Sequence, residues 1–133
     1  MVPVLFIAIH SKEFVNLSRI DLGLKGEEIA LREIKKRGYK VLERNYKTSL
    51  GEVDIIAKDG DVLVFIEVKT RRKSIVAAKE AVDRRKKKKL YQLALAYMKK
   101  RGFIGNKARF DVVAISMENG IKVELIRNAF EIS

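Results

Sequence analysis

Gly51-Glu52-Val53-Asp54-Ile55-Ile56-Ala57-Lys58-Asp59-Gly60-Asp61-Val62-Leu63-Val64-Phe65-Ile66-Glu67-Val68-Lys69 is the stretch on which the fold turns. Apolar, largely β-branched runs flank Asp59-Gly60, a strong two-residue turn signal, so the stretch reads as a β-hairpin. Side chains alternate along a strand, and register therefore decides which residues meet. With Asp59-Gly60 as the loop, Lys58 pairs with Asp61, Ile56 with Leu63 and Asp54 with Phe65, and Glu67 falls one diagonal step beyond Asp54. Asp54, Glu67 and Lys69 then share a face, with diagonal neighbours about 7 to 8 Å apart. Val53, Ile55, Ala57, Val62, Val64, Ile66 and Val68 are expected on the other face, which is wholly apolar, while Ile56, Leu63 and Phe65 fill the middle of the first. Strands apolar on both faces belong at the centre of a sheet covered from both sides.

Two carboxylates and an ammonium at one end of such strands are the parts needed to cut a phosphodiester. Asp54 and Glu67 can hold Mg²⁺ or Mn²⁺, which polarises a phosphate and acidifies a water, and Lys69 can orient that water or steady the developing charge. A bland alternative is that Glu67 and Lys69 form an exposed strand-end salt bridge, worth little. Asp54 in register with them favours the site, because isolated charges on central strands are costly without a partner or a metal.

Working outward, Leu24 to Arg37 is a helix stopped by Gly38, with Ala30, Leu31 and Ile34 as its buried stripe. At 100° per residue Glu27 falls in the middle of that stripe and Glu28 points toward solvent. An acid in the first turn also suits the helix dipole, but its place on an apolar face favours a third carboxylate reaching the metal from above the sheet. Tyr39 to Tyr46 is the first strand. After Lys69 come the bases Arg71, Arg72 and Lys73, then a helix that starts at Asp83, an N-cap type, and ends at Gly102. Leu90, Leu93, Ala94 and Tyr97 form its core stripe, and Lys86 lies on that stripe one turn earlier. Arg84, Arg85, Lys87, Lys88 and Lys89 fan around the axis; a basic run opposes the helix dipole at that end, and phosphate is the partner that offsets the cost. Arg109 to Ile115 is the next strand, joined by Asn119-Gly120 to Ile121 to Ile126. Reaching Arg109 through a helix implies a parallel crossover, so the architecture is α/β with a mixed central sheet flanked by helices.

The whole chain of 133 residues suits one domain with a real core. Its 29 Lys and Arg against 17 Asp and Glu give a net charge of +12, an excess that favours polyanions such as DNA or RNA. No Cys and a single His, His10, exclude thiolate and most zinc sites and leave an oxygen-ligand cation in a cytoplasmic protein. The apolar opening from Val2 to Ile9 is too short to span a bilayer and lacks a signal peptide's basic start, so residues 1 to 21 read as a packed extension or the product of an upstream start codon, and 22 to 133 as the domain.

The segments Leu22 to Ala30, Arg37-Gly38-Tyr39, Asn45-Tyr46, Gly51 to Ala57, Val64 to Arg71, Lys86, Arg109 to Val113 and Asn128-Ala129-Phe130 together resemble the YraN-like family of small bacterial proteins, which is similar to archaeal Holliday junction resolvases. That resemblance implies a restriction-endonuclease-like PD-(D/E)xK core of order αβββαβ, a Mg²⁺-dependent nuclease and a nucleic-acid partner, with branched or damaged DNA as one substrate class; a homodimer is an arrangement that the resemblance leaves open. It further implies Asp54 as the central metal-bridging acid, Glu67 as the second ligand, Lys69 as the catalytic lysine, Glu27 as the helix acid and the Val68 carbonyl as a further ligand. Val53 stands where the motif has proline. The competing reading is a non-catalytic nucleic-acid-binding module whose acids hold the fold together.

Overall fold

The computed structural model describes residues 4–7, 19–71, 84–117 and 120–129, the side chains of 4–7, 19–24, 71 and 84 excepted. In chain order the elements are β1 (Val4–Ile7), α1 (Arg19–Lys36), β2 (Lys40–Thr48), β3 (Gly51–Asp59), β4 (Val62–Arg71), α2 (Arg84–Arg101), β5 (Ala108–Ser116) and β6 (Ile121–Ile126). They build one mixed sheet in the order β1-β6-β5-β4-β3-β2, in which β4 and β5 are parallel and the other pairs antiparallel. The α/β class and the mixed sheet are as the sequence indicates, with Val4–Ile7 added as an edge strand on β6.

Among the described residues each face of the sheet carries one helix. Ala30, Leu31 and Ile34 of α1 cluster with Ile55, Ala57, Val64, Ile66, Val113 and Ile115. Leu90, Leu93, Ala94 and Tyr97 of α2 cluster with Ile56, Leu63, Phe65, Val112 and Ala114 on the other face. Burying both faces explains why β3, β4 and β5 are near-continuous apolar runs. Helix α1 closes with Gly38 N–H donating to Lys35 and Tyr39 N–H to Ile34, and the Tyr39 ring joins the same core as Ile34.

The hairpin register departs from the expected one. Asp59 pairs with Val62, Lys58 with Leu63 and Ile56 with Phe65, so the two loop residues are Gly60 and Asp61 rather than Asp59 and Gly60. Gly60 has φ 61 and takes the first loop position, where a two-residue turn can place its left-handed residue on glycine alone. Centring the loop on Asp59-Gly60 as a type I′ turn instead asks Asp59 for positive φ as well. The slip is two residues, an even number, so every side chain keeps its face. Continued past its last pair, Ile55 with Ile66, this register puts Asp54 directly opposite Glu67 instead of diagonal to it.

Val53 is the exception to the face assignment: it is buried in the α2-side cluster and not with Ile55. The chain departs from regular pleating here. The β3–β4 pairing stops at Ile55, and Asn45, beside the same segment on β2, adopts φ 48 between the Arg44–Ile55 and Tyr46–Val53 pairs.

A second polar cluster occupies the far end of β3. The fully buried Asp111 carboxylate accepts bonds from the Tyr39 hydroxyl at 2.9 Å, Arg109 Nε at 2.9 Å and the Asn128 N–H at 2.9 Å. Arg109 and Arg127 both reach Asp59 Oδ2 at 2.8 Å. Burial, and then Asp111, push the Tyr39 hydroxyl up to about 12, which keeps it a donor. This cluster ties the turn after β6 to the sheet and is satisfied within the protein.

Candidate functional site

Where β3 and β4 separate, the backbone of β4 loses its partner strand and a side chain takes over. The Val68 N–H donates to Asp54 Oδ2 at 2.8 Å. A strand residue directs its N–H and C=O toward the same neighbour, so the Val68 carbonyl also faces the Asp54 side. Glu67, only 4% exposed, follows the last β3–β4 pair on the α2 face. Its Oε1 takes Lys69 Nζ at 3.2 Å and Lys86 Nζ at 2.5 Å. The structure thus brings Asp54, Glu67 and Lys69 to one strand end, together with Lys86 from the first turn of α2.

The charges there are not at their ordinary values. Burial, and next the repulsion of Glu67, push Asp54 up to about 6; Glu27 adds to the shift, and the Val68 N–H and Lys86 oppose it. Burial lowers Lys69, Lys86 beside it lowers it further, and Glu67 offsets only part of this. Lys86 is also penalised by burial, yet its bond to Glu67 and the attraction of Glu67 and Asp54 hold it above the usual lysine range. Of two adjacent ammonium groups, Lys86 therefore keeps its proton more firmly than Lys69.

Glu27 reaches the site from α1. The buried Gly26 packs on β4 so closely that a β-carbon there would overlap the Thr70 hydroxyl. This contact seats the first turns of α1 over the end of β4. Glu27 is half-buried, close enough for Asp54 to feel its charge, and its Oε2 accepts from Asn45 Nδ2 at 3.4 Å. Glu28 is turned outward to Arg44 at 3.0 Å, as the helical spacing indicates. Among the described residues no three His, Cys, Asp or Glu side chains form a closed cluster. The donors gathered at this strand end are the Asp54 and Glu67 carboxylates, the latter bonded to Lys69 and Lys86, with Glu27 as an outer acid. This fits Mg²⁺, which keeps several waters and takes one or two carboxylates from the protein.

A cleft of about 290 Å³ opens beside this cluster, lined by Gly51, Glu52, Arg85, Lys86, Lys89 and Leu90. Arg85, Lys88 and Lys89 are exposed, and Lys86 and Lys87 are half-buried. Arg72 and Lys73, and the side chains of Arg71 and Arg84, lie outside the described residues. One contact and one participant were not legible in the sequence. Lys86, read as a phosphate contact, sits on Glu67, and its position on the apolar stripe was the available signal. Asn45 meets Glu27 from a left-handed backbone conformation that asparagine tolerates better than most residues. Among the described residues no helix is long and apolar enough to cross a membrane.

Residues 26–115 match the family described as uncharacterised protein family UPF0102. A UPF0102 protein of Desulfosudis oleivorans is 46% identical over 114 residues, covering 85% of this chain and 92% of the relative. One from Syntrophus aciditrophicus is 41% identical over 113 residues, covering 84% and 89%. One from Clostridium botulinum is 47% identical over 118 residues, covering 84% and 95%. The YraN-like family and this one are the same, so the resemblance seen in the separated motifs holds over most of the chain.

Proposed function

We propose that this chain, which belongs to the UPF0102 family, is a metal-dependent nuclease that hydrolyses DNA phosphodiesters, branched or damaged DNA included. One observation carries the reading: Asp54 and Glu67 lie close enough at the end of two central strands for Glu67 to raise the proton affinity of Asp54, with Lys69 on Glu67 and the Val68 N–H on Asp54. A buried carboxylate whose proton affinity is raised by burial and by a neighbouring acid, as Asp54 is beside Glu67, is costly in a purely structural role, and a bound divalent cation would remove the cost.

Asp54, Glu67 and the Val68 carbonyl would hold Mg²⁺ or Mn²⁺, with Glu27 adding negative charge from α1. Bound there, such a cation would supply a Lewis acid for the phosphate and acidity for the attacking water. Lys69 positions that water or takes its proton, consistent with its lowered pKa. Water adds to phosphorus, the bond to the leaving oxygen breaks, and a proton passes to that oxygen. Arg71, Arg72, Lys73 and the bases from Arg84 to Lys89 grip neighbouring phosphates, in keeping with the net charge of +12.

A non-catalytic binding module is the second reading, favoured by the two lysines that already satisfy Glu67. A panel of linear, nicked, flap and four-way DNA, with RNA as a further substrate, incubated with Mg²⁺ and either wild type or Asp54→Asn, separates the two. Cleavage by wild type, lost in Asp54→Asn with binding kept or tightened, supports the nuclease. No cleavage of any substrate, with binding unchanged by the substitution, supports the module.

A further inference from the structure

Lys86 is the most heavily engaged cation of the site, and the least explained by gripping phosphate. It comes from the first turn of α2, a run of six consecutive bases, yet its ammonium turns inward to Glu67 Oε1 at 2.5 Å. Its side chain is 36% exposed while the side chain of Glu67 is 6% exposed, so the pair lies where the cleft meets the buried acids. The same oxygen already has Lys69 at 3.2 Å. Two ammonium groups on one carboxylate oxygen repel each other, and only one is needed to neutralise Glu67. Beside this crowded pair stands Asp54, whose carboxylate also attracts Lys86. The ammonium thus rests on Glu67 within the attraction of Asp54, the two acids that would hold a divalent cation.

We propose that Lys86 is a built-in surrogate cation: it occupies the metal position on Glu67 until a divalent ion displaces it, and the displaced ammonium then turns into the cleft to bind a substrate phosphate. This deepens the nuclease reading and rests on it. Arg85 and Lys89 line the same cleft, so a freed Lys86 completes a cluster of three cations beside Gly51. The long, unbranched lysine side chain makes the change of partner a matter of rotamers, with no movement of α2. Metal and nucleic acid then bind cooperatively, because the ion releases a phosphate ligand. The acids remain neutralised when no metal is bound, and the phosphate site is complete only when the site is loaded.

The test is calorimetric titration of Mn²⁺ into the full chain as wild type, Lys86→Met and Lys89→Met, without nucleic acid. Lys89→Met removes an equal charge from the same cleft and controls for general repulsion of the ion. Lys86→Met is expected to bind Mn²⁺ about tenfold tighter than wild type, the worth of one charged hydrogen bond no longer competed away, and Lys89→Met to stay within about twofold. In a companion measurement, Mn²⁺ should strengthen binding of a cleavage-resistant phosphorothioate duplex less in Lys86→Met than in wild type. If Lys86→Met binds Mn²⁺ no tighter than Lys89→Met, or if its duplex binding is strengthened as much as that of wild type, the surrogate role is overturned while the metal site stands. If no variant takes up Mn²⁺ even with the duplex present, the metal reading fails and the surrogate role with it.

Discussion

The Val68 N–H donates to Asp54 Oδ2 at 2.8 Å, so the link between β3 and β4 next to their last paired residues is made by a carboxylate and not by backbone. That single bond couples the end of the sheet to the site. It holds one oxygen of Asp54 against β4, while burial and Glu67 raise the proton affinity of the same group to about 6.

A pH dependence of stability follows from Asp54. Its folded value lies above its ordinary 3.8. Between about pH 4 and pH 6 the folded state keeps a proton that the unfolded chain has released, so this group's contribution falls as pH rises through that window. With a chelator present, Asp54→Asn is expected to be more stable than wild type above about pH 6, by about 1 to 3 kcal/mol, and to lose the advantage near pH 4. Mg²⁺ should close the gap by stabilising wild type alone. Denaturant unfolding at both pH values, with and without Mg²⁺, reads this directly; equal stabilities at neutral pH would contradict it.

Lys69 sits at one oxygen of Glu67 with its pKa lowered by burial and by Lys86. Lys69→Met should lower DNA cleavage by about 10² to 10⁴ while Mn²⁺ uptake persists. The cleavage rate of wild type should level off at a pH below the ordinary lysine range. A variant that retains full activity would remove Lys69 from the chemistry.

Gly26 and Thr70 set how closely α1 approaches β4. In an exposed helix alanine gains about 1 kcal/mol over glycine, but here overlap with the Thr70 hydroxyl should cost about 1 to 3 kcal/mol. Gly26→Ala is therefore expected to be net destabilising and to weaken metal uptake by moving Glu27. Adding Thr70→Ala should restore most of both losses. Thermal unfolding and Mn²⁺ titration of the single and double variants measure the coupling, and additive effects would show that the contact does not act through α1.

Asp111 belongs to the other polar cluster, fully buried and bonded to Tyr39, Arg109 and Asn128. Asp111→Ala leaves Arg109 short of a partner and should cost about 3 to 5 kcal/mol of stability. Mn²⁺ affinity of the fraction that remains folded should be unchanged. Loss of metal binding in proportion to stability would merge the two clusters into one.

The exposed bases Arg85, Lys88 and Lys89 lie on or beside the cleft. Replacing each with Ala should weaken duplex binding alike for all sequences and reduce the slope of log affinity against log salt by about one. A binding titration at several salt concentrations checks it; an unchanged slope would place the duplex elsewhere.

Much of this protein was legible in the order of its residues. Apolar runs on both sides of Gly60 mark β3 and β4 as central strands, and parity puts Glu67 and Lys69 on one face of β4, since a two-residue slip leaves paired side chains on their faces. The stripe of Ala30, Leu31 and Ile34 and that of Leu90, Leu93 and Tyr97 identify the covering helices. These features are local: they depend on periodicities of two and 3.6 that any reader of the chain can count. What only the tertiary structure decided are the relationships between elements distant in sequence. The turn took Gly60-Asp61 because a single left-handed glycine suffices there. Val53 left the expected face beside Asn45, and Lys86 reached Glu67 because the crossover from β4 to β5 lays α2 over that face. Spacing along one element predicts which side a residue faces, but which distant charge it meets there depends on how closely the packed elements approach.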